Sequence, residues 1–532
     1  MRNLRSPATR GAIGLAVTAV LAGCGGGDDD DDDAPAAAPT PAPTAQQACE
    51  ALTGRAIGGA TVGTATLVAT TATTPEHCRV PGRIGAKLNF EVRLPGNWND
   101  TIHYSGGGGF NGTIPPANAN ALAKGFVNVS SDSGHTGNPA ATPLASPVLD
   151  ASWALNDQEA VIDFGYRSTP TVMAAAREIV RQRYGRSAGR TYFEGCSNGG
   201  REALMNAQRY PDLFDGIIAR APAYNWTGLL MAHNRNAKAL AAPGGAFTPA
   251  KVAALSSAVL AACDAQDGVA DGVVSNLQAC SFDPATLRCP GGADTGSGCL
   301  SDAQLAVVGS WTSDLTLGTG QSNPPWPLTG NESDPGAWQS WVTGNTTATP
   351  PTPSLQFGFQ DHFVRFMVLK DPAANSLAFS PEANLPALQA ASVVLDATDT
   401  DLSRYRAGGG KLILWHGTND SAISVNGTTR YYTLAAGASG GPAAADQFMR
   451  YYVAPGVNHC AGGPGADQTD LLAALDRWVT ANTAPGELTA TKANAQTGAT
   501  TLSRPLCAYP RYPRYNGSGD ANAATSYTCT AP

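Results

Sequence analysis

The sequence predicts an α/β protein, a largely parallel sheet interrupted by one long insertion. Three observations predict it. Short strand-patterned runs alternate with helix-patterned runs up to about residue 223, the order that builds parallel sheets. The pattern dissolves from residue 224 to about 400, a stretch rich in Pro, Gly and Thr that holds five Trp and four Cys. Strand-patterned runs return from residue 411.

Each element has a local reason. KLNFEVRLPGNW (87–98) alternates apolar and polar as a half-buried strand does. TIHYSGGGGFNG (101–112) is a strand running into a glycine loop, and FVNVSSDSGHTG (126–137) a strand and a turn. TPTVMAAAREIVRQRYG (169–185) has helical spacing, with Thr169 as its cap and Gly185 as its stop. RTYFEG (190–195) is a strand, REALMNAQRYP (201–211) a helix and FDGIIARAPA (214–223) a strand. KLILWHGTND (411–420) and QFMRYYVAPGVNHC (447–460) complete the sheet.

A chain of 532 residues exceeds what one core usually holds, so one large domain with an insertion, or two domains, is expected. The formal charge of −8 owes most of its excess to one acidic run, Asp28–Asp33. There is no basic stripe, which argues against a nucleic-acid partner. Arg2, Arg5 and Arg10 precede an apolar run, Gly11–Ala22, too short to span a bilayer and suited to an export signal. The run ends in LAGC, so residues 1–23 read as a lipoprotein signal and Cys24 as the lipidated first mature residue. Residues 24–47, rich in Gly, Asp and Pro, read as a disordered tether. The expected location is the bacterial envelope or the medium, with a membrane touched only through a lipid anchor.

Export favours disulfides. Cys24 apart, ten cysteines remain. The local pairs are Cys49–Cys78, Cys263–Cys280, Cys289–Cys299 and Cys507–Cys529, although sequence alone does not fix connectivity. This pairing leaves Cys196 and Cys460.

Cys196 lies in EGCSNGGREA (194–203), which contains Gly-x-Ser-x-Gly around Ser197. GRSAG (185–189) fits the same pattern but follows a helix and precedes a strand. A nucleophile elbow needs strand, tight turn, helix, and only Ser197 has that order. The α/β-hydrolase fold is therefore expected, with its chain order Ser, Asp or Glu, His. Of seven histidines, His459 alone follows a late strand with an acid, Asp420, at the end of an earlier one. His416 reads as a structural donor and His135 as a turn residue near the site. A serine hydroxyl needs a base, and the base an orienting acid. Bridging Cys196 to Cys460 would bring Ser197 and His459 together, because disulfide Cα atoms lie within about 4.4–6.8 Å. The oxyanion donors are expected from the backbone N–H of Asn198 and from SGGGGF (105–110), at Gly108 or its neighbour Gly107. CDAQDGVADGVVSNLQAC (263–280) sets Asp264, Asp267 and Asp271 between two cysteines, a donor set suited to a hard cation such as Ca²⁺.

The paired CS and HC with an intervening Asp resemble the tannase and feruloyl esterase family of α/β-hydrolases, and the likeness runs from about Cys49 to the C-terminus. The resemblance implies a Ser197–His459–Asp420 triad and hydrolysis of small aromatic-acid esters. It implies a lid over residues 224–400, between hydrolase parts 48–223 and 401–532. It also implies a structural Ca²⁺ completed by the Val269 and Val273 carbonyls, with no organic cofactor. In the lid, SLQFGFQDHFVRFMVLKDP (354–372) offers Phe359, Phe363, Phe366 and Arg365. Arg365 and Phe363 are the expected substrate residues, with His362 competing for the arginine's place and lid core the alternative for the aromatics. A monomer is expected. The alternative from another class is a calcium-stabilised surface binding lipoprotein without turnover, against which the intact Ser, Asp and His stand.

Overall fold

The computed structural model describes residues 43–318 and 322–532, so the export signal, Cys24 and nearly all of the tether lie outside the described residues. Eleven strands form the central sheet. Three short ones, β1 (Ala56–Ile57), β2 (Ala60–Val62) and β3 (Thr66–Val68), pack near β4 (His77–Ile84) and β5 (Leu88–Pro95). Then come β6 (Thr101–Ser105), β7 (Val127–Ser131), β8 (Arg190–Cys196) and β9 (Gly216–Arg220). The sheet closes with β10 (Lys411–Gly417) and β11 (Met449–Ala454). The order is β1-β2-β4-β5-β7-β6-β8-β9-β10-β11, with β3 also on β4. From β7 to β11 every pairing is parallel; from β1 to β5, and between β5 and β7, every pairing is antiparallel. The sheet is thus mixed, and of its antiparallel part β5 lies in the run whose alternation the sequence shows, whereas β1, β2 and β3 are too short to carry that signal.

Successive side chains of a strand face opposite sides, so a buried sheet needs two cores. Ile217, Leu412 and Leu414 enter one, with Val172 and Ile179 of α1 (Ser168–Tyr184). Their neighbours Ile218, Ile413 and Trp415 enter the other, with Leu471, Leu475 and Trp478. Helix α1 ends at Gly185, whose φ of 73° is the left-handed stop the sequence predicts. Its start differs from the prediction. Thr169 is not a cap, because the helix continues from a wide helical turn, Asp163–Arg167, closed by an Arg167–Asp163 ion pair.

Between β9 and β10 none of the described residues gives a strand to this sheet. The connection builds an apolar core of its own from Leu255, Trp311, Trp326, Trp338, Phe363 and Leu388. Its two ends meet. The Ala397 N–H donates to the Tyr224 carbonyl (2.7 Å), and Thr227 Oγ1 donates to Asp396 Oδ2 (2.6 Å). Residues Thr44–Pro532 form one compact unit, so this connection is not a separate body.

Candidate active site

Ser197 stands between β8 and α2 (Asn198–Arg209) with φ 65° and ψ −121°, a backbone state costly for any residue with a Cβ. The neighbouring glycines make it possible. A Cβ on Gly195 would come within 2.5 Å of the Gly199 backbone, and one on Gly200 within 2.4 Å of the Arg220 carbonyl. The turn therefore lifts the Ser197 hydroxyl out at the head of α2, whose first N–H groups favour an anion.

Asp420 and His459 follow β10 and β11. His459 Nδ1 donates to Asp420 Oδ2 at 2.7 Å. The other carboxylate oxygen accepts the Ala422 and Ile423 N–H groups, both at 2.8 Å. His416 approaches the same Asp420 Oδ2 at 3.1 Å and the Ile423 carbonyl at 3.0 Å through Nε2, while its Nδ1 meets the Thr428 hydroxyl at 2.7 Å. A carbonyl only accepts, so His416 Nε2 carries the proton. Burial alone would raise the Asp420 carboxyl. The facing His459 and His416 outweigh burial and hold it well below the usual carboxylate range. Asp420 is a fixed anion that keeps the His459 Nδ1 protonated and its Nε2 lone pair free.

A disulfide joins Cys196 to Cys460 with Cα atoms 6.0 Å apart, so Ser197 and His459 are the chain neighbours of one covalent link. The other four disulfides are Cys49–Cys78, Cys263–Cys280, Cys289–Cys299 and Cys507–Cys529.

The glycine loop is sorted by its hydrogen bonds. The Gly106 N–H donates to the Glu194 carbonyl (2.9 Å) and the Gly107 N–H to Glu202 Oε2 (3.1 Å). Among the described residues, Gly108 and Gly109 keep free N–H groups. Glu202, which the sequence reading missed, also accepts from Asn198 Nδ2 at 3.0 Å. One carboxyl thus ties the glycine loop to the residue after Ser197. Burial pushes that carboxyl up to about 7 against the pull of Arg201. Arg201 is itself buried, donating to Asn198 Oδ1 (2.8 Å) and to the Phe164, Gly165 and Leu395 carbonyls.

A narrow cleft of about 20 Å³ opens at Ser197. Its walls include Gly109, Trp226, Leu230, His233, Trp341 and Phe359. The Trp341 ring meets His459 edge-on at 5.0 Å and stacks on Phe359 at 6.1 Å. Two expected substrate residues are not in these walls. Arg365 pairs with Asp361 (2.8 Å) and donates to the Pro372 carbonyl, and Phe363 is wholly buried in the connection's core. The cause is local. The helix Leu355–His362 widens at Phe363–Val368, and a wide turn shifts the facing of every residue after it. His362 is likewise occupied, accepting the Ala151 N–H. His135 holds the Phe110 carbonyl (2.8 Å) beneath a stacked Trp153. Trp226, Leu229, Leu230 and His233 were missed where the pattern dissolves, although their i, i+3, i+4 and i+7 spacing is the signal that marks one helical face. Trp341 had no such signal.

The acidic segment lies in the 224–400 connection. Asp264 Oδ2 accepts the Gly272 N–H (2.9 Å), Asp267 Oδ2 the Ser275 N–H (2.8 Å) and Asp271 Oδ1 the Val273 N–H (3.1 Å). Asp271 Oδ2 pairs with Arg504 at 2.6 Å. Among the described residues, no three His, Cys, Asp or Glu side chains converge as metal ligands. The donor chemistry nevertheless suits a hard cation, since all the groups are oxygens and Asp264 Oδ1 is buried without a partner. Burial, with the neighbouring Asp271 adding to it, raises the carboxyls of Asp264 and Asp267.

The sheet order, the elbow after β8 and the acid and histidine after β10 and β11 define an α/β-hydrolase. Residues 72–530 match the family model described as tannase and feruloyl esterase. The chain belongs to that family, and is a carboxylic ester hydrolase. It is 34% identical to mono(2-hydroxyethyl) terephthalate hydrolase of Piscinibacter sakaiensis, over 87% of this chain and 86% of that protein. It is 28% identical to feruloyl esterase B of Aspergillus niger, over 85% and 86%. Its fold matches the crystal structure of feruloyl esterase B from Aspergillus oryzae with a TM-score of 0.79 at 24% identity, over 91% of this chain and all of that one.

Proposed function

We propose that the protein is an exported serine esterase that hydrolyses small aromatic-acid esters through an acyl-enzyme. His459 Nε2 takes the Ser197 proton as Oγ attacks the ester carbonyl. The backbone N–H groups of Asn198 and Gly108 hold the oxyanion, and His459 returns the proton to the departing alcohol. Water then cleaves the acyl-enzyme with His459 again as base. The observation that carries this reading is the 2.7 Å His459–Asp420 bond on the strand end that the disulfide ties to the Ser197 elbow. An aromatic acid is favoured because Trp226, Trp341 and Phe359 wall the cleft. In this reading residues 224–400 are the lid of a hydrolase domain made by 48–223 and 401–532, and Trp226, Leu230, His233, Trp341 and Phe359 are what they bring to the site. Five disulfides accord with an oxidising compartment, and lipidation at Cys24 would hold the enzyme at the envelope.

The test is kcat/KM on methyl ferulate, methyl gallate and mono(2-hydroxyethyl) terephthalate against methyl butyrate. The best aromatic ester is expected to lead the aliphatic one by about tenfold or more, as a matched apolar pocket gives. A preference for methyl butyrate would defeat the aromatic reading.

A structural Ca²⁺ held by Asp264, Asp267 and Asp271 with the Val269 and Val273 carbonyls belongs to the same proposal. Its support is the all-oxygen donor set and the unpartnered Asp264 Oδ1. Chelation with EGTA should then lower Tm, and Ca²⁺ in excess restore it; at 100 times Kd the ion would add about 2.7 kcal/mol. A Tm indifferent to both would remove the metal. The ion would have no part in the ester chemistry.

A further inference from the structure

Glu202 is a buried carboxyl that the proposed proton transfers do not use, and it lies against both halves of the proposed oxyanion hole. It follows Asn198 by one turn of α2, so the two side chains share a face. Glu202 Oε2 accepts the Gly107 N–H (3.1 Å), and Oε1 accepts from Asn198 Nδ2 (3.0 Å). The same Asn198 Nδ2 donates to the Gly107 carbonyl at 3.2 Å. The loop can sit this close only because it is glycine. A Cβ on Gly106 would stand 2.9 Å from Glu202 Oε2 and 2.9 Å from the Gly199 Cα.

Those bonds fix a peptide plane. The Gly107 carbonyl and the Gly108 N–H belong to one trans peptide unit, so they are coplanar and point opposite ways. Holding the carbonyl therefore aims the free Gly108 N–H. The Asn198 amide cannot turn round, because Arg201 Nε donates to its Oδ1 at 2.8 Å. Its Nδ2 must then find acceptors, and Glu202 and the Gly107 carbonyl are the two it has. Both oxygens of Glu202 keep lone pairs for these donors whether or not the carboxyl is protonated.

We propose that Glu202 is a positioning residue for the oxyanion hole: by accepting from Gly107 and Asn198 together, it locks the Gly107–Gly108 peptide in the orientation that aims the Gly108 N–H at the oxyanion. The same bridge holds that N–H at a set distance from the backbone N–H of Asn198. Glu202 touches no reacting atom and acts only through these two residues. This rests on the acyl-enzyme mechanism proposed above.

The experiment is Glu202→Gln, read on p-nitrophenyl acetate and methyl ferulate. Glutamine keeps the shape, but its amide nitrogen accepts nothing, so either the Gly107 N–H or Asn198 Nδ2 loses its partner. Acylation and deacylation both pass through the oxyanion, so kcat should fall by about 10²-fold while KM stays within about threefold. Benzeneboronic acid, whose tetrahedral adduct with Ser197 places an oxygen in the hole, should lose affinity by a similar factor. Acetophenone, a flat competitive inhibitor, should lose less than about threefold. A kcat within about threefold of wild type would overturn the proposal. So would a loss of acetophenone affinity as large as that of the boronic acid, because it marks a site disturbed as a whole. If Glu202→Gln does not fold, Asn198→Ala decides, since it removes the bond to the Gly107 carbonyl and keeps the backbone N–H. The same selective loss of kcat is expected there, and full kcat would reject the role of the bridge. Turnover left intact by Ser197→Ala would instead overturn the acyl-enzyme mechanism.

Discussion

Replacing Ser197 with alanine is expected to lower kcat/KM on every ester by about 10⁴-fold or more, with Tm held within about 2 °C. The two outcomes separate because the role proposed for the hydroxyl lies in the chemistry and not in the packing. Ser197 occupies φ 65° and ψ −121° whichever small side chain it bears, so alanine inherits the strain unchanged. Ser197→Gly loses the Cβ that makes the strain. It should be equally inactive yet melt higher than the alanine variant, by an amount set by the 1–3 kcal/mol such a backbone state stores. The three proteins, compared by melting and by turnover, test whether the elbow holds a stressed nucleophile. Turnover by the alanine variant within tenfold of wild type would remove Ser197 from the mechanism.

The second large effect is expected from the Cys196–Cys460 disulfide. It closes a loop across a sequence separation of 264, for which the chain-entropy account gives about 5 kcal/mol. For a chain of this length that corresponds to a fall in Tm of about 3–5 °C in the Cys196→Ser/Cys460→Ser double variant. The loss of activity should be the more telling result. The link joins the residue before Ser197 to the residue after His459, and a shift of about 1 Å in a catalytic group can cost 10²-fold. kcat should therefore fall by about that factor at temperatures where the variant is fully folded, with KM much less affected. Full kcat in that double variant would reduce the link to a stability device.

What the sequence revealed and what it hid divide along physical lines. Ser197, Asp420 and His459 were legible because the elbow needs glycines at fixed offsets and because strand ends carry the partners. The parallel strands were legible from their apolar runs, whereas Ala56–Ile57 and Ala60–Val62 are too short to show a period. Arg365 and Phe363 lie outside the cleft walls because a wide helical turn after His362 changes which side each residue faces, and such a turn leaves no mark in apolar spacing. Glu202 was hidden by its company. A carboxylate next to an arginine on a helix reads as a solvated pair, but here the Arg201 guanidinium reaches the Phe164 and Gly165 carbonyls, and Glu202 turns to the glycine loop. His416 was read as a structural donor, and its place against Asp420 gives that reading a target.

The closed ends of the long connection have a consequence for how such an enzyme can change. Tyr224 and Ala397 are hydrogen-bonded to each other, and Thr227 and Asp396 form a second clasp beside them. β9 and β10 on either side of the clasp hold their register through their own pairing. The loops that carry Asp420 and His459 nevertheless lean on the connection: Gln356 donates to the Ser421 carbonyl and Asn458 donates to Asp334. A chimera spliced at residues 224 and 397 would therefore have to bring partners for Ser421 and Asn458 with it, or the turns after β10 and β11 would lose their outer support.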